Sequence, residues 1–146
     1  MMCCQGEPKF VQSVMAEKKN TLDVLPSEMV YKILAYLDLK HLYVAARVCK
    51  TWNSVAKEYD ILWKKFCLAL PDACKERINN YRDSGYSWKE TLERTKMDSA
   101  RERVQQNWLN GRYSQIRSFK ELPQNSMCPL DKNTWGEILE AEERRN

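Results

Sequence analysis

The stretch LPSEMVYKILAYLDLKHLYVAARVCKTW, Leu25 to Trp52, decides how the rest of the chain is read. Pro26 suits the first position of a helix, where its missing N–H costs nothing. Ser27 and Glu28 follow, placing polar and acidic groups where the helix dipole favours them. Then come Met29, Val30, Tyr31, Ile33, Leu34, Tyr36 and Leu37. At 100° per residue, all of these but Tyr31 spread over roughly 160° of the helix surface. A surface helix needs an apolar stripe of only about 100°. The surplus either packs between two neighbours or is covered by a partner. The unit from Leu22 to Trp63 has few neighbours to offer, being close to the roughly 40 residues below which domains usually need outside support.

Outward from this stretch, helical signals continue. LDLK interrupts the first helix, and a second is expected over Lys40–Arg47, with Leu42, Tyr43 and Val44 pointing apolar groups in several directions. A third is expected over Thr51–Tyr59, where Trp52, Val55, Ala56 and Tyr59 share one side. Asp60 is placed to cap a fourth, ILWKKFCLAL, which Pro71 ends. Residues 72–86 are polar and ambiguous. SWKE then forms a capping box, Ser87 with Glu90, opening a helix that runs to Leu109 and stops at Asn110-Gly111. On that helix Met97, Ala100, Val104 and Trp108 fit one face. Loop signals fill residues 114–133. Thr134 and Glu137 make a second capping box for a last short helix, with Trp135, Ile138 and Leu139 inward. No Val/Ile/Thr alternation marks a strand, so the expected class is all-α. Residues 1–20 lack a sustained period and read as a loose, disordered tail.

Composition narrows the function classes. The chain has 146 residues and a net charge of +4, from 24 Lys+Arg against 20 Asp+Glu. The excess is dispersed, with only Lys18-Lys19 and Lys64-Lys65 as short basic pairs, unlike the basic stripe of a nucleic-acid module. Six cysteines (Cys3, Cys4, Cys49, Cys67, Cys74 and Cys128) form no CxxC pair, and His41 is the one histidine. No zinc site of ordinary spacing, and no cofactor, is therefore expected. MMCCQGEPKF contains no signal-peptide core, and no apolar run approaches the roughly 18 residues of a membrane helix. Unpaired thiols without a signal point to a reducing compartment, cytoplasmic or nuclear. Acylation of Cys3-Cys4 would lack a second membrane signal.

The order Leu25-Pro26-x-Glu28, Ile33-Leu34, Leu37-Asp38, Leu42, Val48-Cys49-Lys50-x-Trp52, Leu62-Trp63 resembles the F-box motif. SGYSWKETL, NWLNGRYS and DKNTWGEILEAE carry a resemblance to F-box proteins almost to the C-terminus. The resemblance implies a three-helix F-box, here residues 21–70, docking on the Skp adaptor that joins cullin and RING subunits of a ubiquitin ligase. It implies an adaptor interface, or its direct support, at Leu25, Pro26, Ile33, Leu37, Leu42, Val48, Cys49 and Trp52. Residues 71–146 would then be a helical extension that recruits an unidentified target. Some F-box proteins carry a β-propeller after an NW and basic-Gly pattern, but only 35 residues follow Gly111, fewer than the roughly 40 of one blade.

The residues carry three other readings. Cys49 and His41 could form a thiol–imidazole pair, but Cys49 suits a small buried position and no catalytic residue is expected. LKHLYVAARVCKTWNSVAKE could be a helix-turn-helix DNA reader, with Lys50, Asn53 and Lys57 facing bases, although Trp52 sits among them. The chain could also occupy the adaptor as a competitor without a target of its own. No nucleic acid or membrane partner is expected. Trp88, Trp108 and Trp135 read as core, and Glu140 to Arg145 as a solvated helix end.

Overall fold

The computed structural model describes residues 24–145, so the expected N-terminal tail, Leu22 and Cys3-Cys4 lie outside the described residues. Seven α-helices follow one another: α1 (Ser27–Tyr36), α2 (Leu39–Ala45), α3 (Lys50–Glu58), α4 (Ile61–Leu68), α5 (Lys75–Asp83), α6 (Trp88–Leu109) and α7 (Lys132–Glu143). Short 3-10 turns lie at Asp72–Cys74 and Phe119–Glu121, and no strand occurs among the described residues. The chain is all-α, as expected. The ambiguous polar segment 72–86 becomes one 3-10 turn and α5, held by the burial of Cys74 and Ile78. Contacts divide the protein into two compact units, up to Val55 and from Ala56 onward.

In the first unit, Val30, Leu34, Leu42, Ala45, Ala46 and Val55 are buried. Pro26 is the N-cap of α1 with extended ψ (145°) rather than its first helical residue, and no side chain caps that end. Instead, Pro26 contributes its carbonyl, which accepts from Met29 and Val30 N–H. Asp38 caps α2 by accepting from His41 N–H.

In the second unit, α6 is the spine, packed by α4, α5 and α7. Its 22 residues span about 33 Å. The capping box forms as expected: Ser87 Oγ accepts from Glu90 N–H, and Glu90 accepts from Ser87 N–H. Asp60, however, does not cap α4. Its backbone is already helical there, so its carboxylate points elsewhere and accepts from Trp88 N–H (2.6 Å) and Lys89 N–H (3.1 Å), at the start of α6. A residue 28 positions away thus satisfies two of the four donors a helix start leaves open.

The face expected of α6 holds only toward its C-terminal end, at Val104 and Trp108. Leu92, Thr91, Thr95 and Val104 are buried, while Met97 is 66% exposed and Ala100 is exposed. Because α4 and α5 flank its first half, the residues facing them are covered, and the apolar periodicity at Met97 loses to that geometry. Trp108 bridges to the last helix: its ring meets those of Tyr113 and Trp135 edge-on, and its N–H donates to Ser126 O at 2.9 Å. The cap of α7 is Asp131, which accepts from Thr134 N–H (2.8 Å), so Thr134 lies inside the helix rather than ahead of it. With the start shifted, Ile138 is buried and Leu139, expected inward, is 61% exposed. The end of α7 is not simply solvated. Arg145 donates to the carbonyls of Leu109 (2.7 Å) and Trp108 (3.3 Å), closing the C-terminus of α6, while Glu142 accepts from Ser114 and Arg145.

Three substitutions test this arrangement. Asp60→Ala is expected to lower stability by about 1–2 kcal/mol through loss of the α6 cap, read by urea denaturation. Gly111 (φ +71°) and Gly85 (φ +87°) both have left-handed backbone, so either changed to Ala costs roughly 1–2 kcal/mol. Gly111→Ala is expected to cost more of the two, since its Cβ would lie 2.7 Å from Arg145 Nε, whereas Gly85 has open space.

Candidate functional site

The surplus on α1 resolves into two stripes. Val30 and Leu34 are fully buried and form one edge of the apolar arc. Met29, Ile33 and Tyr36, spaced i, i+4, i+7, form the other edge and are 47%, 39% and 91% exposed. Leu37 lies between them on the wheel and is half-buried. Intrahelix spacing puts Met29, Ile33 and Tyr36 within about 60° of one another, a continuous apolar strip. On the following segments, Val44 (58%) and Val48 (53%) are also exposed. Single exposed apolar residues are ordinary, but this small unit carries these five beside its buried core.

The eight residues singled out from the sequence divide into three groups. Pro26, Ile33 and Val48 are exposed and available for contact. Leu25, Leu37, Cys49 and Trp52 are half-buried. Leu42 is fully buried in the core of the first unit. The sequence reading omitted Met29, Tyr36 and Val44 from that set, although they belong to the exposed group. The signal for Met29 and Tyr36 was present in the excess width of the arc.

Local chemistry explains how the turn between α2 and α3 is held. Cys49 Sγ accepts from Trp52 N–H (3.5 Å), so this thiol serves the start of α3. Asn53 Nδ2 donates to Ala46 O (2.7 Å), bridging the turn. That amide is thus committed internally instead of facing outward to read a base. His41 Nδ1 meets the Asp38 carboxylate, and its backbone N–H is the first cause holding the Asp38 carboxyl below the usual carboxylate range. Cys49 and His41 therefore have separate partners, and the thiol–imidazole pair does not form.

Cys67, a buried thiol of the second unit, is equally committed. Cys67 donates to Trp88 O (3.3 Å). Burial, with a further contribution from Asp60, pushes its pKa up to about 11, so it stays a protonated, unreactive thiol near neutrality. Among the described residues, no group of three His, Cys, Asp or Glu is placed to hold a metal ion. No described helix is long and apolar enough to cross a membrane.

Comparison with known proteins gives the face its context. The family model described as F-box-like matches residues 22–69, running across the boundary between the two units. F-box only protein 48 of Mus musculus is 43% identical over 128 residues, 88% of this chain and 78% of the mouse protein. F-box only protein 48 of Homo sapiens is 41% identical over 139 residues, 91% of this chain and 88% of the human one. The "Probable E3 ubiquitin ligase complex SCF subunit sconB" of Aspergillus terreus is 34% identical over 67 residues, 44% of this chain but 10% of that protein. No solved structure matches the chain.

The division of α1 predicts two opposite outcomes. Leu34→Ala should cost about 2–5 kcal/mol in chemical denaturation, as a buried truncation. Ile33→Ala and Val48→Ser should stay within about 0.5 kcal/mol of the parent, because water already reaches both. Acid gives a further check. Asp38, Glu90 and Asp131 cap helices and have folded-state pKa values held low, chiefly by backbone N–H bonds from His41, Ser87 and Thr134. Their contribution is present in full above the ordinary carboxylate range and is lost as pH falls through the lowered values. Thermal unfolding should therefore be nearly flat from pH 7 to about 5 on their account and decline below about 4.

Proposed function

The chain belongs to the F-box family, and from that premise we propose that it is the target-recruiting subunit of a Skp–cullin–F-box ubiquitin ligase. The first unit docks on the Skp adaptor, which connects it to cullin and RING subunits. The extension from residue 71 onward holds a target protein. The chain contributes no chemistry of its own: recruitment raises the local concentration of target beside the charged conjugating enzyme, turning a rare encounter into an effectively intramolecular one. The proposed setting is the cytoplasm or the nucleus, in keeping with Cys49, Cys67, Cys74 and Cys128 as free thiols.

One observation carries the adaptor reading: the strip Met29, Ile33 and Tyr36, with Val44 and Val48, remains uncovered while the other edge of the same helix is fully buried. Helix-in-groove and helix-face recognition use apolar anchors at this spacing. Pro26, Ile33 and Val48 are the proposed contacts, Leu25, Leu37, Cys49 and Trp52 the proposed rim and support, and Leu42 the buried prop behind them.

Adaptor capture tests the proposal. The Leu25→Ala/Pro26→Ala double variant and Ile33→Ser should each bind the purified Skp adaptor at least tenfold more weakly, while helical circular dichroism is preserved. Equal capture by parent and variants would refute the assignment. Truncation after Pro71 is a poor probe of the extension, since it strips α5 and α6 from α4 and uncovers Trp63 and Cys67. Point variants in a reconstituted ligase separate a target-recruiting subunit, which supports transfer to cargo, from a competitor that only occupies the adaptor.

A further inference from the structure

The segment between α2 and α3, residues 46–49, is clamped at both of its ends by one residue of the following helix. Asn53 Nδ2 donates to Ala46 O (2.7 Å), and Asn53 N–H donates to Cys49 O (3.0 Å). Ala46 is the C-cap of α2 and is 5% exposed. Carbonyls at a helix end find no partner within the helix, and a covered one left unpaired costs free energy. The Asn53 amide supplies that partner from seven residues away. Arg47 N–H and Val48 N–H wind the chain out of α2 by donating to Val44 O (2.9 Å) and Ala45 O (3.1 Å). Arg47, Val48 and Cys49 include neither Gly nor Pro, so no residue of special backbone preference shapes the turn. Its conformation is set by the bonds that close it.

Val48 stands on this clamped segment and is 53% exposed. Val44, four residues earlier on α2, is 58% exposed. Asn53 itself is half-buried, with its amide spent on Ala46 O, so any effect it has on docking passes through the turn. A contact group ordered before docking loses less conformational freedom when the partner arrives. A bond that served stability alone would behave differently. Its loss would weaken binding only by lowering the folded, binding-competent fraction. Loss of a clamp weakens binding in chains that remain folded, and does so through the residue that the turn presents.

We propose that Asn53 is a positioning residue for adaptor docking: it closes residues 46–49 into the turn that presents Val48. This inference rests on the reading of the first unit as the adaptor-docking unit and adds a residue that acts on that face without lying on it.

The test measures the affinity of the full chain for the immobilised Skp adaptor, with the folded fraction taken from urea denaturation of each variant. Asn53→Ala should bind about tenfold more weakly while its folded fraction under assay conditions matches the parent's. Asn53→Asp keeps the size but sets a carboxylate against Ala46 O, and should bind at least as weakly as Asn53→Ala. A double-mutant cycle assigns the loss to the turn. On a Val48→Ser background, Asn53→Ala should cost little further affinity, whereas on an Ile33→Ser background it should cost its full factor. Equal losses on both backgrounds, or a loss accounted for by the unfolded fraction, would overturn the proposal. A parent that binds the adaptor beside an Asn53→Ala variant that binds equally well would remove this proposal alone. A parent that does not bind the adaptor would refute the ligase reading and this inference with it.

Discussion

Both ends of α6 are closed by ionised side chains from distant parts of the chain, and much of the second unit follows from that. Asp60 sits on the first turn and Arg145 on the last two carbonyls. The signs agree with the helix dipole, acid at the start and base at the end. Most of a helix's stability in a protein comes from tertiary packing, and alone these 22 residues could point in any direction. With α4 tied to its start and α7 to its end, its length becomes the ruler along which the extension is laid. Between the ends, Tyr81 donates to Asp98 at 2.5 Å, and Arg77 donates to Ser99 (3.2 Å) and pairs with Glu102. These polar links fix the register of α5 against a face that has few large apolar residues to specify it.

The consequence reaches the functional regions in different ways. α4 is the last helix covered by the F-box-like match, yet it packs on α6 and its Cys67 bonds to Trp88 O. Family motif and extension therefore share a core, with Trp63 fully buried and its indole N–H held by Ala56 O at 3.0 Å. Disturbing the extension disturbs the end of the motif. The exposed strip on α1 lies in the first unit, where its residues are already reached by water. That is why substitutions on the strip are clean probes of binding while deletions are not.

The α6–α7 loop is pinned from within by one side chain. Trp108 does this by three contacts at once: edge-on to Tyr113, edge-on to Trp135, and a hydrogen bond to Ser126 O. An aromatic with a polar handle is suited to such a junction, since its body packs and its N–H fixes one carbonyl. Phe119 and Met127 on the same loop stay exposed.

The sequence by itself determined the helical class, the Ser87–Glu90 capping box, the helix that box opens and its stop at Asn110-Gly111, and the excess of apolar surface on the first helix. These depend on neighbours within a few residues, where spacing and capping chemistry are decisive. It could not decide which edge of the α1 arc would be covered, because both edges are apolar and only the packed fold distinguishes Val30 and Leu34 from Met29 and Ile33. For the same reason it misplaced the cap of Asp60, Met97 and Ala100 on α6 and Leu139 on α7, while Val104 and Ile138 are buried as expected. A carboxylate's choice between a helix two residues away and one 28 positions away is made by tertiary geometry, once packing has brought the distant N–H groups within hydrogen-bonding reach.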